Sequence, residues 1–282
     1  CSGVSWAGDV YKRQARELLE AGEIGRPLQM RQRHGAWLEK SAMQAAALPA
    51  DRSWRVDPLL SGGGEFPWIF DHAVHFFSTA EYLMADQPVQ EVYSVVADNR
   101  GLDIRRGAAH DPYQTAALDI PIITWRYEDP ACQGVWMRAE RLNGKYDYMR
   151  GFSTSIVGEK GMIEVLGEGG GGLTWNGKEQ HLLLHREGAQ TLSFRFEEGG
   201  DDVWQSEISY YSQGHINQIH HFIDCLVQGR PPRYPGEKGV RAVQCTLAAI
   251  RSARENRPVR VEEIGEDYKA YEPWGPARQR PR

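Results

Sequence analysis

Asp71 and His75 stand four residues apart in a segment, residues 65–84, whose apolar residues recur with helical period. Four residues make about one helical turn, so the two side chains share a face. A carboxylate beside an imidazole fixes the tautomer and raises the ring's basicity, as a general base requires. Three glycines, Gly62-Gly63-Gly64, come just before this segment, and glycine lets backbone approach a ligand closely. The same pair also fits a solvated helix surface, and a metal site would need a third ligand that is not evident.

Other candidates are weaker. Gly167-Glu168-Gly169-Gly170-Gly171-Gly172 has the form G-x-G-x-x-G after an expected strand. A dinucleotide loop must open a helix, and the next residues, Leu173-Thr174-Trp175-Asn176-Gly177, read as a further strand and turn. A flexible hairpin loop is the expectation. His220 and His221 are adjacent and point about 100° apart on a helix, while His215 lies off their i,i+4 face. They read as ordinary helix-surface or interface histidines. Cys1, Cys132, Cys225 and Cys245 form no C-x-x-C and no metal spacing. Four scattered cysteines fit a reducing compartment, and a cytoplasmic location is expected.

The elements that must position Asp71 and His75 follow from period and punctuation. Residues 15–21 read as the end of a helix before Gly22, Gly25 and Pro27. Residues 28–34 alternate as a strand, and residues 35–61 are loop-rich. After the 65–84 helix the period becomes two. Strands are expected at 89–97, 116–127, 134–142, 153–157, 162–166, 173–175, 181–185 and 192–196. Short turns such as Asn143-Gly144, Glu159-Lys160-Gly161 and Asn176-Gly177 imply mostly antiparallel pairing. Helices at 216–227 (Ile216, Ile219, Ile223, Leu226) and 240–255 (Val240, Val243, Leu247, Ile250) precede a last strand at 258–261. The expected class is α+β: one predominantly antiparallel sheet with helices on one face. Trp125, Trp136 and Met137 lie on central strands, and some large apolar groups of a single-layered sheet must face outward. Such patches mark interfaces.

The chain has 282 residues, 41% hydrophobic and 25% charged, a globular composition long enough for a sizeable core. A net charge of −5 offers no basic surface for nucleic acid. No apolar run approaches the ~18 residues of a membrane span. The chain does not begin with Met, and residues 4–14 resemble a translated sequencing-library adapter. Residues 1–14 are therefore expected to be a non-native extension, 15–264 the folded domain and 265–282 a polar tail.

Several stretches, in order, resemble the second domain of the glucose–fructose oxidoreductase/inositol dehydrogenase (Gfo/Idh/MocA) family. They are Glu23-Ile24-Gly25-Arg26-Pro27, Ser53-Trp54-Arg55-Val56-Asp57, Ser61-Gly62-Gly63-Gly64-Glu65, Asp71-His72-Ala73-Val74-His75 and Val157-Gly158-Glu159-Lys160-Gly161. Phe222-Ile223-Asp224, Gly229-Arg230-Pro231-Pro232, Gly236-Glu237-Lys238-Gly239 and Ser252-Ala253 continue it to about Ile264. The resemblance implies a parent enzyme that binds NAD or NADP on an N-terminal Rossmann domain and oxidises or reduces a hydroxyl carbon of a sugar, polyol or related compound. It places the site's Asp and His on Asp71 and His75. The family's E-K-P lysine and its nucleotide domain would lie upstream of Ala15. The second position of the helix motif, usually small, is His72, a candidate extra polar contact. Arg33, His34 and Trp37, with Trp54 and Arg55, are candidates for lining the substrate pocket; packing or loop anchoring fits them equally well. The resemblance also implies a homo-oligomer formed through the open sheet face; charge and the lack of a long apolar run lead to no expected nucleic-acid or membrane partner. Two alternatives stay open: a non-catalytic substrate-binding and oligomerisation module, and a fragment of an NAD-dependent glycosidase.

Overall fold

A computed structural model describes residues 10–37, 61–64, 66–97, 121–142, 153–166, 173–175, 178–180, 182–194 and 210–265. The first element, helix α1 (Val10–Glu20), leads through a turn into β1 (Pro27–Trp37). Helix α2 (Pro67–Leu83) comes next, then β2 (Val89–Val96), β3 (Pro121–Tyr127), β4 (Gln133–Leu142), β5 (Ser153–Gly158) and β6 (Gly161–Leu166). Three short strands, β7 (Leu173–Trp175), β8 (Lys178–Gln180) and β9 (Leu182–Arg186), come before β10 (Leu192–Phe194). Helices α3 (Tyr210–Gln228) and α4 (Gly236–Glu255), strand β11 (Val259–Arg260) and a 3-10 turn (Val261–Glu263) end the described chain.

Nine strands form one sheet in the order β10-β9-β6-β5-β1-β4-β3-β2-β11. Every pairing in it is antiparallel except β1 with β4. The expected α+β class therefore holds. β7 and β8 pair as a separate ribbon, so a strand and not a helix succeeds the glycine run at 167–172. That is the order expected of a hairpin rather than a nucleotide loop, although the run itself lies outside the described residues.

Helices cover one face. β3 shows why: Pro121, Ile123, Trp125 and Tyr127 are buried while Ile122, Thr124 and Arg126 are exposed, the alternation of a sheet packed on one side. The Phe77 ring of α2 meets Trp125 edge-on at 5.3 Å, and Phe76 stacks on Trp136 at 4.6 Å. Trp125 and Trp136 thus face inward, contrary to any outward role; of the three apolar residues singled out on the central strands, only Met137 points to the open face, 38% exposed. Gly134 lies opposite Trp125 in register, and a Cβ there would fall 2.1 Å from the indole. The glycine is the space the ring occupies.

α4 closes the same face through its second half, where Leu247, Ala248, Ala249 and Ile250 are buried. The backbone N–H of Ser94 on β2 donates to Ser252 Oγ at 2.9 Å. Glu81 of α2, nearly buried, accepts the Val89 N–H at 2.9 Å and pairs with Arg241 of α4 at 2.8 Å. Arg241 also donates to the Val89 carbonyl. One carboxylate and one guanidinium thereby tie the start of β2 to both helices.

α1 begins earlier than the sequence suggests. Its first turn includes residues 10–14, expected from the sequence to belong to an extension. Tyr11, Ala15 and Leu19, spaced by four, are all buried. The spacing gives the helix an apolar face, and Tyr11 completes it. Arg16 pairs with Asp86 at 2.9 Å, and Lys238 of α4 reaches the same carboxylate at 2.5 Å.

Candidate active site

α2 carries Asp71, His72 and His75. Pro67 at its first turn suits a helix start, because the missing N–H has no partner there in any case. The turn of residues 61–64 folds directly onto this end: the Phe66 N–H donates to the Gly63 carbonyl at 3.2 Å, and the Gly63 N–H donates to Ser61 Oγ at 3.2 Å. A Cβ on Gly63 would lie 2.7 Å from Phe70 Cβ and 2.8 Å from the Phe66 carbonyl oxygen. The glycine turn is packed against the helix one turn before Asp71, so its first use of small size is to seat the helix.

Asp71, His72 and His75 are all half-buried. Asp71 Oδ2 lies 3.3 Å from His72 Nδ1, an ion-pair distance when the ring is protonated. His72, expected as an extra polar contact, thus sits beside the carboxylate itself. The His75 carbonyl accepts the Ser78 hydroxyl at 2.9 Å, which anchors the backbone beneath the ring.

Three ties fix α2 against the sheet. Tyr127 OH lies 3.4 Å from both the Ala80 carbonyl and Met30 Sδ. One helical turn back, the Gln32 side-chain amide donates to the Phe76 carbonyl at 3.1 Å, and Trp136 stacks on Phe76. α2 runs antiparallel to β1 and to its parallel neighbour β4, and four helical residues and two strand residues each advance about 6–7 Å. One further turn brings Asp71–His72 to the level of residues 34 and 138, which are partners in the β1–β4 register.

Arg138 occupies that level on the buried parity of β4, in phase with Trp136, and is 4% exposed. It is not among the residues singled out from the sequence. The available signal was its phase: an arginine sharing strand parity with a tryptophan reads as a cation placed on the covered face.

Arg33, by contrast, is exposed on β1, next to buried Gln32. It belongs to the open face of the sheet, opposite α2, so the structure does not bring it to Asp71 and His75. His34 and Trp37 belong to β1 by backbone, paired with Arg138 and Leu142 across a register shift after Gly35. Their side chains, and Trp54 and Arg55 altogether, lie outside the described residues. Among the described residues no cluster of three or more His, Cys, Asp or Glu could hold a metal ion.

The sequence profile of an oxidoreductase family's C-terminal alpha/beta domain matches residues 16–261. The chain belongs to the Gfo/Idh/MocA family. The myo-inositol 2-dehydrogenase of Thermotoga maritima is 26% identical over 257 residues, covering 89% of this chain and 61% of that protein. A levoglucosan dehydrogenase solved with NADH and levoglucosan superposes with a TM-score of 0.62 at 19% identity, covering 92% of this chain and 64% of that one. An inositol dehydrogenase homologue from Azotobacter vinelandii, solved with NAD+, gives 0.61 at 17% identity, with 91% and 64% covered. At such identities the superpositions establish the shared fold. The chain spans about three fifths of the length of the curated relative it matches. Among the described residues no helix of this family member is long and apolar enough to cross a membrane.

Proposed function

We propose that this chain is the substrate-binding and oligomerisation domain, residues 15–264, of an NAD(P)-dependent oxidoreductase acting on a sugar, polyol or related hydroxyl compound. The observation that carries the reading is the Asp71-x-x-x-His75 face of α2, half-buried and locked to the sheet through Gln32, Trp136 and Tyr127.

Among the described residues the next elements after β6 are the paired strands β7 and β8. The family resemblance assigns NAD or NADP to a nucleotide-binding domain N-terminal to Ala15, where it would supply the oxidising power. This chain supplies substrate position and proton handling. His75 takes the proton of the reacting hydroxyl. Asp71 stabilises the cation that forms, on His75 directly or through His72 at its side. Arg138, on the covered face at the same level, adds a fixed positive charge for substrate oxygens. Gly63 and Gln32 hold the helix in place.

Two further assignments belong to this reading. Val95, Ile122 and Met137 are exposed on the open sheet face, 49%, 50% and 38%. In β2–β3–β4 register they form one row, with Val95 opposite Ile122 and Ile122 opposite Met137. A second copy covers this row. The free, buried cysteines Cys132, Cys225 and Cys245 suit the reducing cytoplasm.

The test restores the coding sequence upstream of Ala15 and measures steady-state kinetics of this parent on polyols and sugars. His75→Ala is expected to lower kcat by roughly 10²–10⁴-fold, the worth of a positioned acid/base group. Asp71→Asn should lower kcat as well, His72→Ala should act mainly on KM, and NADH affinity should stay constant in all three. The 282-residue chain by itself should show no saturable NADH binding by fluorescence. A His75→Ala parent within a few-fold of wild type would remove the proton-acceptor role.

A further inference from the structure

The open face of the sheet carries a chain of polar contacts. The His185 imidazole on β9 lies with Nε2 2.9 Å from Glu164 Oε2 on β6 and with Nδ1 3.0 Å from Thr191 Oγ1, just before β10. The Ser155 hydroxyl on β5 donates to the other Glu164 oxygen at 3.5 Å. Side-chain exposure is 33% for His185 and 26% for Glu164, so both are half-covered already. Register fixes their side of the sheet. On β6 the flanking Ile163 and Val165 are buried in the core, which turns Glu164 outward. Glu164 is opposite Ser155, and Ser155 is opposite Arg31 of β1.

The other charged groups near His185 are placed as follows. Its partner on β6 beside Glu164 is the uncharged Met162. Arg31, one strand beyond Ser155, is engaged through Nε with Gln29 at 2.6 Å. Arg186, the next residue on β9, pairs with Glu23 at 3.0 Å. Lys160 and Glu187 are exposed in the turns at the strand ends, where the Glu187 N–H donates to the Lys160 carbonyl at 3.0 Å.

We propose that the His185–Glu164 pair is a proton switch for self-association of this chain through the open face. The proposal rests on the reading that a second copy covers the Val95–Ile122–Met137 row. β1 is the middle strand of the sheet, with four strands on either side. A two-fold axis along β1 lays the β4–β3–β2 half of one copy on the β5–β6–β9 half of the other. The apolar row of each copy then covers Glu164 and His185 of its partner. Exposed Arg31 and Arg33, two strands from Glu164, give the face both signs of charge, as suits a surface that meets its own copy.

Covering strips water from the carboxylate. With a neutral imidazole the pair carries one negative charge, which is unfavourable to bury against aliphatic side chains. With a protonated imidazole the pair is neutral overall and loses less on being covered. Thr191 serves both forms, because a hydroxyl donates to a bare ring nitrogen and accepts from a protonated one. Imidazole is the side chain that changes charge between about pH 5 and 8. Association therefore takes up a proton on His185, and acid favours the associated form.

Sedimentation velocity with fluorescence detection, on dilution series of the 282-residue chain at constant ionic strength, tests the switch. The dimer dissociation constant should be roughly tenfold or more lower at about pH 5.5 than at about pH 8. His185→Gln keeps a hydrogen-bonding side chain, leaves every other titrating group in place, and should give one constant at both pH values. Glu164→Gln makes the imidazolium the lone charge and should reverse the trend, with tighter association at the higher pH. Circular dichroism should show an unchanged sheet in both variants. A wild-type dimer with one constant at both pH values, or a dependence that survives in His185→Gln, overturns the proposal and leaves the self-association reading intact. A wild-type chain that stays monomeric at every pH overturns both.

Discussion

The Gln32 side chain on β1 donates to the carbonyl of Phe76 on α2 at 3.1 Å, one residue beyond His75. Gln32 is completely buried, so this polar group is spent on holding the helix and not on solvent. Gln32→Ala should cost about 2 kcal/mol, from the lost hydrogen bond and the cavity left behind. Urea denaturation measures the loss. In the restored parent the same variant should raise KM more than it lowers kcat, since it moves the helix without removing a reacting group.

Gly63→Ala tests the seating of α2. The added methyl meets Phe70 Cβ at 2.7 Å and the Phe66 carbonyl at 2.8 Å, distances that require movement of backbone. A loss of roughly 1–3 kcal/mol is expected, as for overpacking elsewhere. A thermal melt indistinguishable from wild type would detach the glycine turn from the helix start.

Arg241→Leu should destabilise the fold by roughly 2 kcal/mol, less than a fully buried pair because Arg241 keeps part of its side chain in water. Burial already raises the Glu81 carboxyl above its ordinary value of 4.5, and Arg241 works against that rise. A carboxyl with a raised folded pKa loses stability as pH climbs above the unfolded value. Removing Arg241 strengthens that trend, so the deficit should be smallest near about pH 4 and grow toward neutrality. Melting curves of both proteins across that range check the sign.

His221 should make the fold acid-sensitive. Burial, with Arg233 and Arg230 nearby, holds its pKa below the ordinary 6.5. The unfolded chain therefore takes up a proton that the folded chain resists, and stability falls as pH drops below 6.5. Protonation also removes the Nε2 lone pair that accepts the Arg233 N–H. His221→Gln keeps an acceptor without the charge and should flatten this part of the pH–stability profile.

Ile122→Lys combined with Met137→Lys should convert a self-associated chain to monomer in sedimentation velocity. Both positions are exposed on the open face, and Met137 pairs with Ile122 in register. The far-ultraviolet spectrum should be unchanged. A wild-type monomer at high concentration would remove the self-association reading.

Local periodicity determined much of this protein. Alternation in β3, the helical spacing of residues 69–83 and the glycine- and proline-marked breaks are short-range signals, and strands and helices appear where those signals lie. The Asp71–His75 pair was legible for the same reason, since a spacing of four defines one helix face. Which side of each element meets the core was decided by tertiary structure. Trp125 and Trp136 turned inward because α2 supplied Phe77 and Phe76 as partners and Gly134 left room for an indole. Arg33 went to the open face by the same strand parity that buried Gln32. Tyr11 entered the core because α1 had an apolar face to complete. The apolar stripe of α3, Ile219, Phe222, Ile223 and Leu226, is indistinguishable in sequence from a core-facing one, and only the packed chain leaves it in water. Period is set by bonds between near neighbours, whereas facing is set by which distant surface arrives, and that depends on contacts spanning the whole chain.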